Sequence, residues 1–213
     1  MRFIFRCLSS FLIVITVIAS SACADIALPA PQTEGGMGLF EALKKRSSPP
    51  GGDFPTGRLE LDELSTILWA ASGLNRGEKG WTVPMSRGLE PYCKIYVVQD
   101  EGIFLYDWRA HRLMEISKEN IRAKSGAQNF VKTAPHLLIV ATDEKILAEF
   151  NKESDRTAFA YVAAGAMTQD IYLAAAAIGA GTRYIHSMNE DELKTALKLG
   201  ENEAPLCLMM LGK

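Results

Sequence analysis

The order of helical and strand-like segments in this chain predicts an α+β fold. Two amphipathic helices come first, then a run of strands, then a long helix, a strand, a helix and a closing strand, without the strict alternation of a doubly wound sheet. Three stretches carry this reading. Residues 94–99 (KIYVVQ) and 103–107 (IFLYD) flank Asp100-Glu101-Gly102 as a hairpin. Residues 137–142 (LLIVAT) are a continuous apolar run suited to a buried central strand. Residues 158–182 (AFAYVAAGAMTQDIYLAAAAIGAGT) form a long Ala-rich run closed by Gly179 and Gly181. Ala is the best helix former and Gly a usual C-terminal stop, so a helix of roughly 20 residues is expected, apolar nearly all round and therefore buried. A membrane span would place Asp170 near the bilayer centre at a cost of roughly 2.5–3.5 kcal/mol, which disfavours it. The Gln169-Asp170 pair then needs partners, as a buried polar clamp or as part of a subunit contact.

The first 24 residues stand apart. Arg2 and Arg6 precede the apolar run 11–19 (FLIVITVIA), and small residues end in Ala22-Cys23-Ala24. Basic, apolar and small-residue regions in that order make a secretory signal peptide, and the apolar run is too short for a comfortable membrane anchor. Cleavage after Ala24 is preferred. A lipoprotein cleaved before Cys23 is the alternative, although that route favours a large aliphatic residue where Ser20 stands. The expected domains are therefore a signal peptide over 1–24, an extended arm over 25–36 and one folded domain over 37–213, in an exported, periplasmic protein with no integral membrane segment in its mature chain.

The arm (DIALPAPQTEGG) has little to bury. Residues 37–46 (MGLFEALKKR) follow as a helix with Met37, Leu39, Phe40 and Leu43 on one face, and with Lys44, Lys45 and Arg46 at the end the dipole favours for cations. Residues 47–57 (SSPPGGDFPTG) break it, since two prolines and two glycines cannot continue a helix. Residues 59–74 form a second amphipathic helix with Leu61, Leu64, Ile67, Leu68 and Ala71 inward. Residues 75–88 are a loop long enough to be functional. After the hairpin, residues 113–116 add a short strand, and residues 118–133 one or two short helices that Pro135 stops. Beyond the strand at 137–142, residues 143–151 are helical, and the long helix is capped at Ser154 or Asp155. Residues 183–187 are a strand, 189–199 a helix with an Asn189/Glu192 capping box, and 205–211 the closing strand.

Composition excludes several classes. Without its first 24 residues the chain loses two Arg and no acid, leaving 21 basic against 25 acidic residues. That balance does not suggest nucleic acid or an anionic membrane as partner. Cys93 and Cys207 remain of the four cysteines, either paired by a disulfide or as two buried thiols in neighbouring strands. There is no C-x-x-C, and His111, His136 and His186 lack metal-ligand spacing. Gly179-Ala180-Gly181 follows a helix instead of a strand, so it is no dinucleotide fingerprint, and no G-x-S-x-G elbow occurs.

The whole pattern is more specific than any one motif. EALKKRSS, LELDELSTILWAASGLNRG, a loop with Thr82-Val-Pro84-Met-Ser86-Arg87, KIYVV with IFLYD, FVKTAPHLLIVAT, the helix with Thr168-Gln169-Asp170-Ile-Tyr172-Leu173, then IGAGT resemble, in this order, the nitroreductase family. The closer likeness is to the short exported SagB-type dehydrogenase branch, over about residues 29–213. The resemblance implies an α+β sandwich with a mostly antiparallel central sheet flanked by helices around one long buried helix. It also implies an intertwined homodimer with FMN at its interface, which takes a hydride at N5 and passes it to a small-molecule electron acceptor in a ping-pong cycle.

Carried over by position, the family's R-x-S element falls on Arg46 and Ser48, which would bind the flavin phosphate and ribityl chain; a solvated cation and a turn serine are the plain alternative. Pro50 stands where a further Arg is usual. The family's P-S-x-x-N loop falls on Pro84, Met85 and Gly88, and Ser86 or Arg87 would substitute for its lost polar residues after a local shift. Its helix Q-N pair appears as Gln169 and Asp170, and its glycine turn beside the flavin ring as Gly179-Ala180-Gly181-Thr182. The Arg of the next strand is replaced by Ile185, with Arg183 two residues earlier on the same face, and the closing G-Y-P is cut to Gly212-Lys213. Two readings follow. One is an exported FMN-dependent oxidoreductase; the other is a non-catalytic member that has lost FMN and serves as a binding module.

Overall fold

A computed structural model describes residues 25–84 and 90–213. The signal peptide expected over 1–24 and the two loop residues Ser86 and Arg87 lie outside the described residues. The elements in chain order are β1 (Ile26–Ala27), α1 (Leu39–Lys45), α2 (Leu61–Ser72), β2 (Leu74–Arg76), β3 (Gly80–Trp81), β4 (Cys93–Gln99), β5 (Gly102–Asp107) and β6 (Arg112–Ser117). They continue with α3 (Arg122–Ser125), β7 (His136–Thr142), α4 (Glu144–Leu147), α5 (Glu153–Ile178), β8 (Gly181–Ile185), α6 (Glu190–Ala196) and β9 (Pro205–Gly212). Two 3-10 turns, Gly51–Asp53 and Asn129–Thr133, complete the set.

One seven-stranded sheet runs β1-β6-β5-β4-β7-β9-β8, with every neighbouring pair antiparallel. Side chains alternate across a pleated sheet, so strands with apolar residues at consecutive positions need cover on both faces. Ile95, Leu138 and Met209 face one core, which α2 and α5 cover. Tyr96, Ile139 and Met210 face the other, which Ile121, Val131 and Leu193 close from the segments around α3 and α6. The α+β sandwich expected from the sequence is thus the fold observed.

The long helix α5 starts earlier than expected, with Lys152 as its N-cap, and puts Glu153 and Asp155 in the first turn, where the helix dipole favours acids. It stops where the glycine signal places the stop. Gly179 is left-handed (φ 75°), and the Ala180 N–H reaches back to Ala175 O at 2.8 Å. Gly181, read as part of the stop, instead opens β8. One side of α5 is buried through Ala160, Ala163, Ala164, Met167, Ile171 and Ala175, at helical spacing. Tyr161 and Val162 stay exposed (54% and 64%), and so do Leu39, Phe40 and Leu43 (60%, 86% and 45%) on α1, which packs against α5.

Several local expectations are corrected. The strand expected at 183–187 runs two residues earlier. The Asn189/Glu192 capping box does not form: the Asn189 N–H that Glu192 would have accepted goes to Ser125 O at 2.9 Å, and the Asn189 side-chain amide donates to Lys124 O at 2.6 Å. A reciprocal arrangement sits instead at α2, where the Glu60 N–H donates to Glu63 at 3.0 Å. The arm is not idle. Ile26 and Ala27 pair with β6, Leu28 is buried, and Pro29 O accepts from Ser65 Oγ at 2.6 Å. Cys93 and Cys207 are free and buried, on β4 and β9, with β7 between them. Burial pushes both thiols up, Cys207 to about 12.

Candidate functional site

α1 ends because the chain runs into Ser47-Ser48-Pro49-Pro50. The Arg46 N–H makes a last helical bond to Ala42 O (2.8 Å), and the prolines that follow have no N–H to continue the ladder. From there residues 46–57 cross the outer edge of β8, the last strand of the sheet. Gly181 permits that close crossing, since a Cβ there would come within 2.8 Å of Pro55 Cγ and 3.4 Å of Pro49 Cγ. Phe54 drops into the second core. Gly57 and Lys213 then exchange backbone hydrogen bonds at 2.9 and 2.8 Å, which fastens the far end of the strap beside β9.

At the near end four residues meet. The Tyr172 hydroxyl on α5 accepts the Tyr184 N–H of β8 at 2.8 Å and lies 2.7 Å from Ser48 Oγ. The Arg46 guanidinium stands 5.2 Å from the centroid of the Tyr172 ring, within cation–π range. Arg46 is half-buried and forms no ion pair among the described residues, whereas its neighbour Lys45 is paired with Glu41 at 2.8 Å. A guanidinium without a carboxylate partner beside an exposed serine hydroxyl is chemistry that suits an oxyanion.

The other residues singled out from the sequence fall around this cluster unevenly. Thr182 is buried, and its Oγ1 has no hydrogen-bond partner among the described residues. Arg183 does lie on the same strand face as Ile185. Its Nη1 donates to Pro49 O at 3.1 Å, its guanidinium is 5.6 Å from the Phe130 ring centroid, and its Nε is buried without a partner among the described residues. Lys213 pairs with Glu63. Pro84 is exposed just beyond β3, on a segment that the Thr82 N–H ties to Gly73 O at the end of α2 (3.0 Å). Gln169 is exposed and Asp170 half-buried, with burial raising the Asp170 carboxyl to about 6, so the pair is no internal clamp within one chain. Tyr172 is the residue that sequence reasoning passed over. Its signal was a phenol near the closing glycine of a helix otherwise made of small apolar residues.

No group of three or more His, Cys, Asp or Glu among the described residues could hold a metal, and no helix among them is long and apolar enough to cross a membrane.

An antiparallel sheet between two helical layers, with an Arg-Ser strap across its edge, defines an α+β sandwich of nitroreductase type. Residues 53–213 match the nitroreductase family, and the chain belongs to that family. It is 30% identical over 186 residues to a Methanocaldococcus jannaschii protein assigned to the nitroreductases, covering 82% of this chain and 90% of that one. A crystal structure from Ralstonia eutropha with the same assignment superposes with a TM-score of 0.82 at 33% identity, over 89% of each chain. An NADPH:FMN oxidoreductase from Vibrio harveyi, solved with NAD+, shares the fold at 22% identity and a TM-score of 0.56, over 82% of this chain and 67% of that one. The family match begins after Arg46 and Ser48, so the case for those two residues rests on their geometry here.

Proposed function

We propose that this chain is an exported FMN-dependent oxidoreductase of the SagB-type nitroreductase branch, working as a homodimer on a small-molecule electron acceptor. The observation that carries the reading is the half-buried Arg46, without an ion pair among the described residues, beside the Ser48 hydroxyl on the strap. The donor set fits a phosphate monoester: a planar cation and a hydroxyl donor converge from one end of the strap. Arg46 and Ser48 would hold the FMN phosphate, and the buried, unpartnered Thr182 hydroxyl is a spare donor next to Gly181, on the side where the flavin ring is expected. Bound FMN would supply hydride chemistry at its N5. The chain's own work is to bind, orient and keep water from that atom.

Leu39, Phe40, Leu43, Tyr161 and Val162 form the exposed apolar surface that a second copy would cover. The reading of residues 1–24 as a signal peptide supports export. Nicotinamide is scarce outside the cytoplasm, so the donor there is another reductant. A second reading keeps the fold without the flavin. It is favoured by two cations that already have partners, Arg183 on Pro49 O and Lys213 on Glu63, and by Pro50 in place of an arginine.

One experiment separates the two. The protein is purified with added FMN and its visible spectrum recorded before and after denaturation. A flavin band stoichiometric with chain and released on unfolding supports the oxidoreductase. A colourless protein whose melting temperature FMN does not raise would leave the binding-module reading.

A further inference from the structure

We propose that Tyr172 is the positioning residue of the anion site: its hydroxyl fixes the direction of a hydrogen-bond chain that makes Ser48 an outward donor, and its ring holds the Arg46 guanidinium alongside. This rests on the reading that Arg46 and Ser48 receive the phosphate of FMN.

The argument is one of donor and acceptor counting. A phenol has one proton and two lone pairs. The Tyr184 N–H occupies one lone pair of Tyr172 at 2.8 Å. The 2.7 Å contact to Ser48 Oγ then runs in one of two directions. If Ser48 donated, Tyr172 would accept twice, its own proton would find no acceptor among the described residues, and Ser48 would have none for an anion. If Tyr172 donates, every group is used once: Tyr184 N–H to Tyr172, Tyr172 O–H to Ser48, and Ser48 O–H outward. Chains of this kind polarise each bond in the same sense, so the last donor is strengthened. Arg46, 5.2 Å from the ring centroid, adds positive charge beside the phenol and favours the same direction. The start of the chain is rigid, because the Tyr184 N–H belongs to β8, which is paired along its length with β9. A single side chain on α5 therefore ties the strap, the edge strand and the end of α1 into one anion-facing arrangement.

The test compares FMN with riboflavin, which lacks the phosphate, by fluorescence titration of the purified protein. Tyr172→Phe keeps the ring and removes the hydroxyl. The expected result is about a tenfold loss of FMN affinity, the size of a hydrogen bond to a charged group, with riboflavin affinity unchanged and a melting temperature lowered by about 2–4 °C for the acceptor that the Tyr184 N–H loses. Made on top of Ser48→Ala, the same substitution should cost nothing more, since the chain then has no end to deliver. Equal loss of both flavins, or no loss of either, would overturn the assignment, because a packing role does not distinguish a phosphate. Should Tyr172→Phe fail to fold, hydrogen exchange at the Tyr184 amide of the unsubstituted protein decides. FMN should slow it and riboflavin should not, and an amide indifferent to FMN would overturn the inference. An unsubstituted protein that binds neither flavin would sink the cofactor reading itself, a separate outcome from a bound FMN indifferent to Tyr172.

Discussion

His136 should make the fold sensitive to mild acid. The ring sits in β7 at 2% exposure. Its Nε2 accepts the Leu59 N–H at 3.2 Å, so the proton of the neutral ring is on Nδ1, which donates to Gln99 Oε1 at 3.1 Å. Burial, with Arg58 and Arg122 nearby, pushes its pKa down to about 4 against the opposing pull of Glu101 and Asp100. The unfolded chain takes this proton near pH 6.5. Between those values the unfolded state binds more protons than the folded one, so stability rises with pH there and is lost as pH falls from 6.5 towards 4. At roughly 1.4 kcal/mol per pH unit, that gap amounts to about 3 kcal/mol by pH 4, or about 6–12 °C in melting temperature for a domain of this size. The assay is urea unfolding of the unsubstituted protein and of His136→Gln at pH 7.5, 5.5 and 4, with FMN absent throughout. Taking the difference at each pH cancels the other titrating groups. The deficit of the substituted protein should shrink by about 3 kcal/mol from pH 7.5 to pH 4. A deficit constant to within about 0.5 kcal/mol would refute the buried neutral ring.

Other outcomes follow from the same structure. Burial raises Asp170 to about 6, so its folded form resists ionisation and stability is lost as pH rises from about 4 to about 6, opposite in sign to His136; Asp170→Asn should raise the melting temperature at pH 8 and lose that gain below pH 4. Arg46→Gln should weaken FMN by about ten- to a hundredfold, for the charge-assisted bonds removed, and leave riboflavin binding in place, as titration of each flavin would read. Gly181→Ala drives a Cβ to within 2.8 Å of Pro55 and should destabilise by about 1–3 kcal/mol in denaturant unfolding. Cys93 and Cys207 should be unreactive to a thiol reagent in the folded protein and fully reactive in denaturant; a denatured, unreduced chain without both thiols would show a disulfide instead.

The sheet was legible because its central strands carry apolar residues at consecutive positions and turns at their ends. Residues 94–99, 103–107, 137–142 and 205–211 all became strands within a residue or two of their expected limits. What escaped was structure too short to have a period. The two residues of β1, and the β2–β3 hairpin that begins at Leu74 and takes up the first part of the loop expected at 75–88, are held by pairing and tertiary bonds such as Leu28 N–H to His111 O at 3.2 Å. The capping box at Asn189 failed for a related reason. The residue that fits a local motif is held by distant backbone, its N–H by Ser125 O and its side-chain amide by Lys124 O, 65 positions away in sequence.

The site shows the same division between local and distant information. Arg46 and Ser48 could be singled out because they close a helix before a double proline, and that break is local. Their geometry depends on residues more than a hundred positions later, Tyr172 and Tyr184, and on a glycine chosen for what passes over it. The strap explains why such dispersed residues act together. It is fastened near Tyr172 at one end and by the Gly57–Lys213 pairing at the other, and two residues further on Leu59 is held by His136. About a dozen residues of chain therefore join Arg46 and Ser48 to the residue that His136 holds, with a 3-10 turn at Gly51–Asp53 and Phe54 seated in the second core between them. A continuous packed path of this kind would couple affinity at Arg46 and Ser48 to protonation at His136. Lowering the pH through the folded ring's own titration near 4 should then weaken FMN more steeply in the unsubstituted protein than in His136→Gln, a comparison that cancels the protonation of the phosphate itself. An FMN affinity with the same pH dependence in the two proteins down to about pH 4 would show that the two ends of the strap are not coupled.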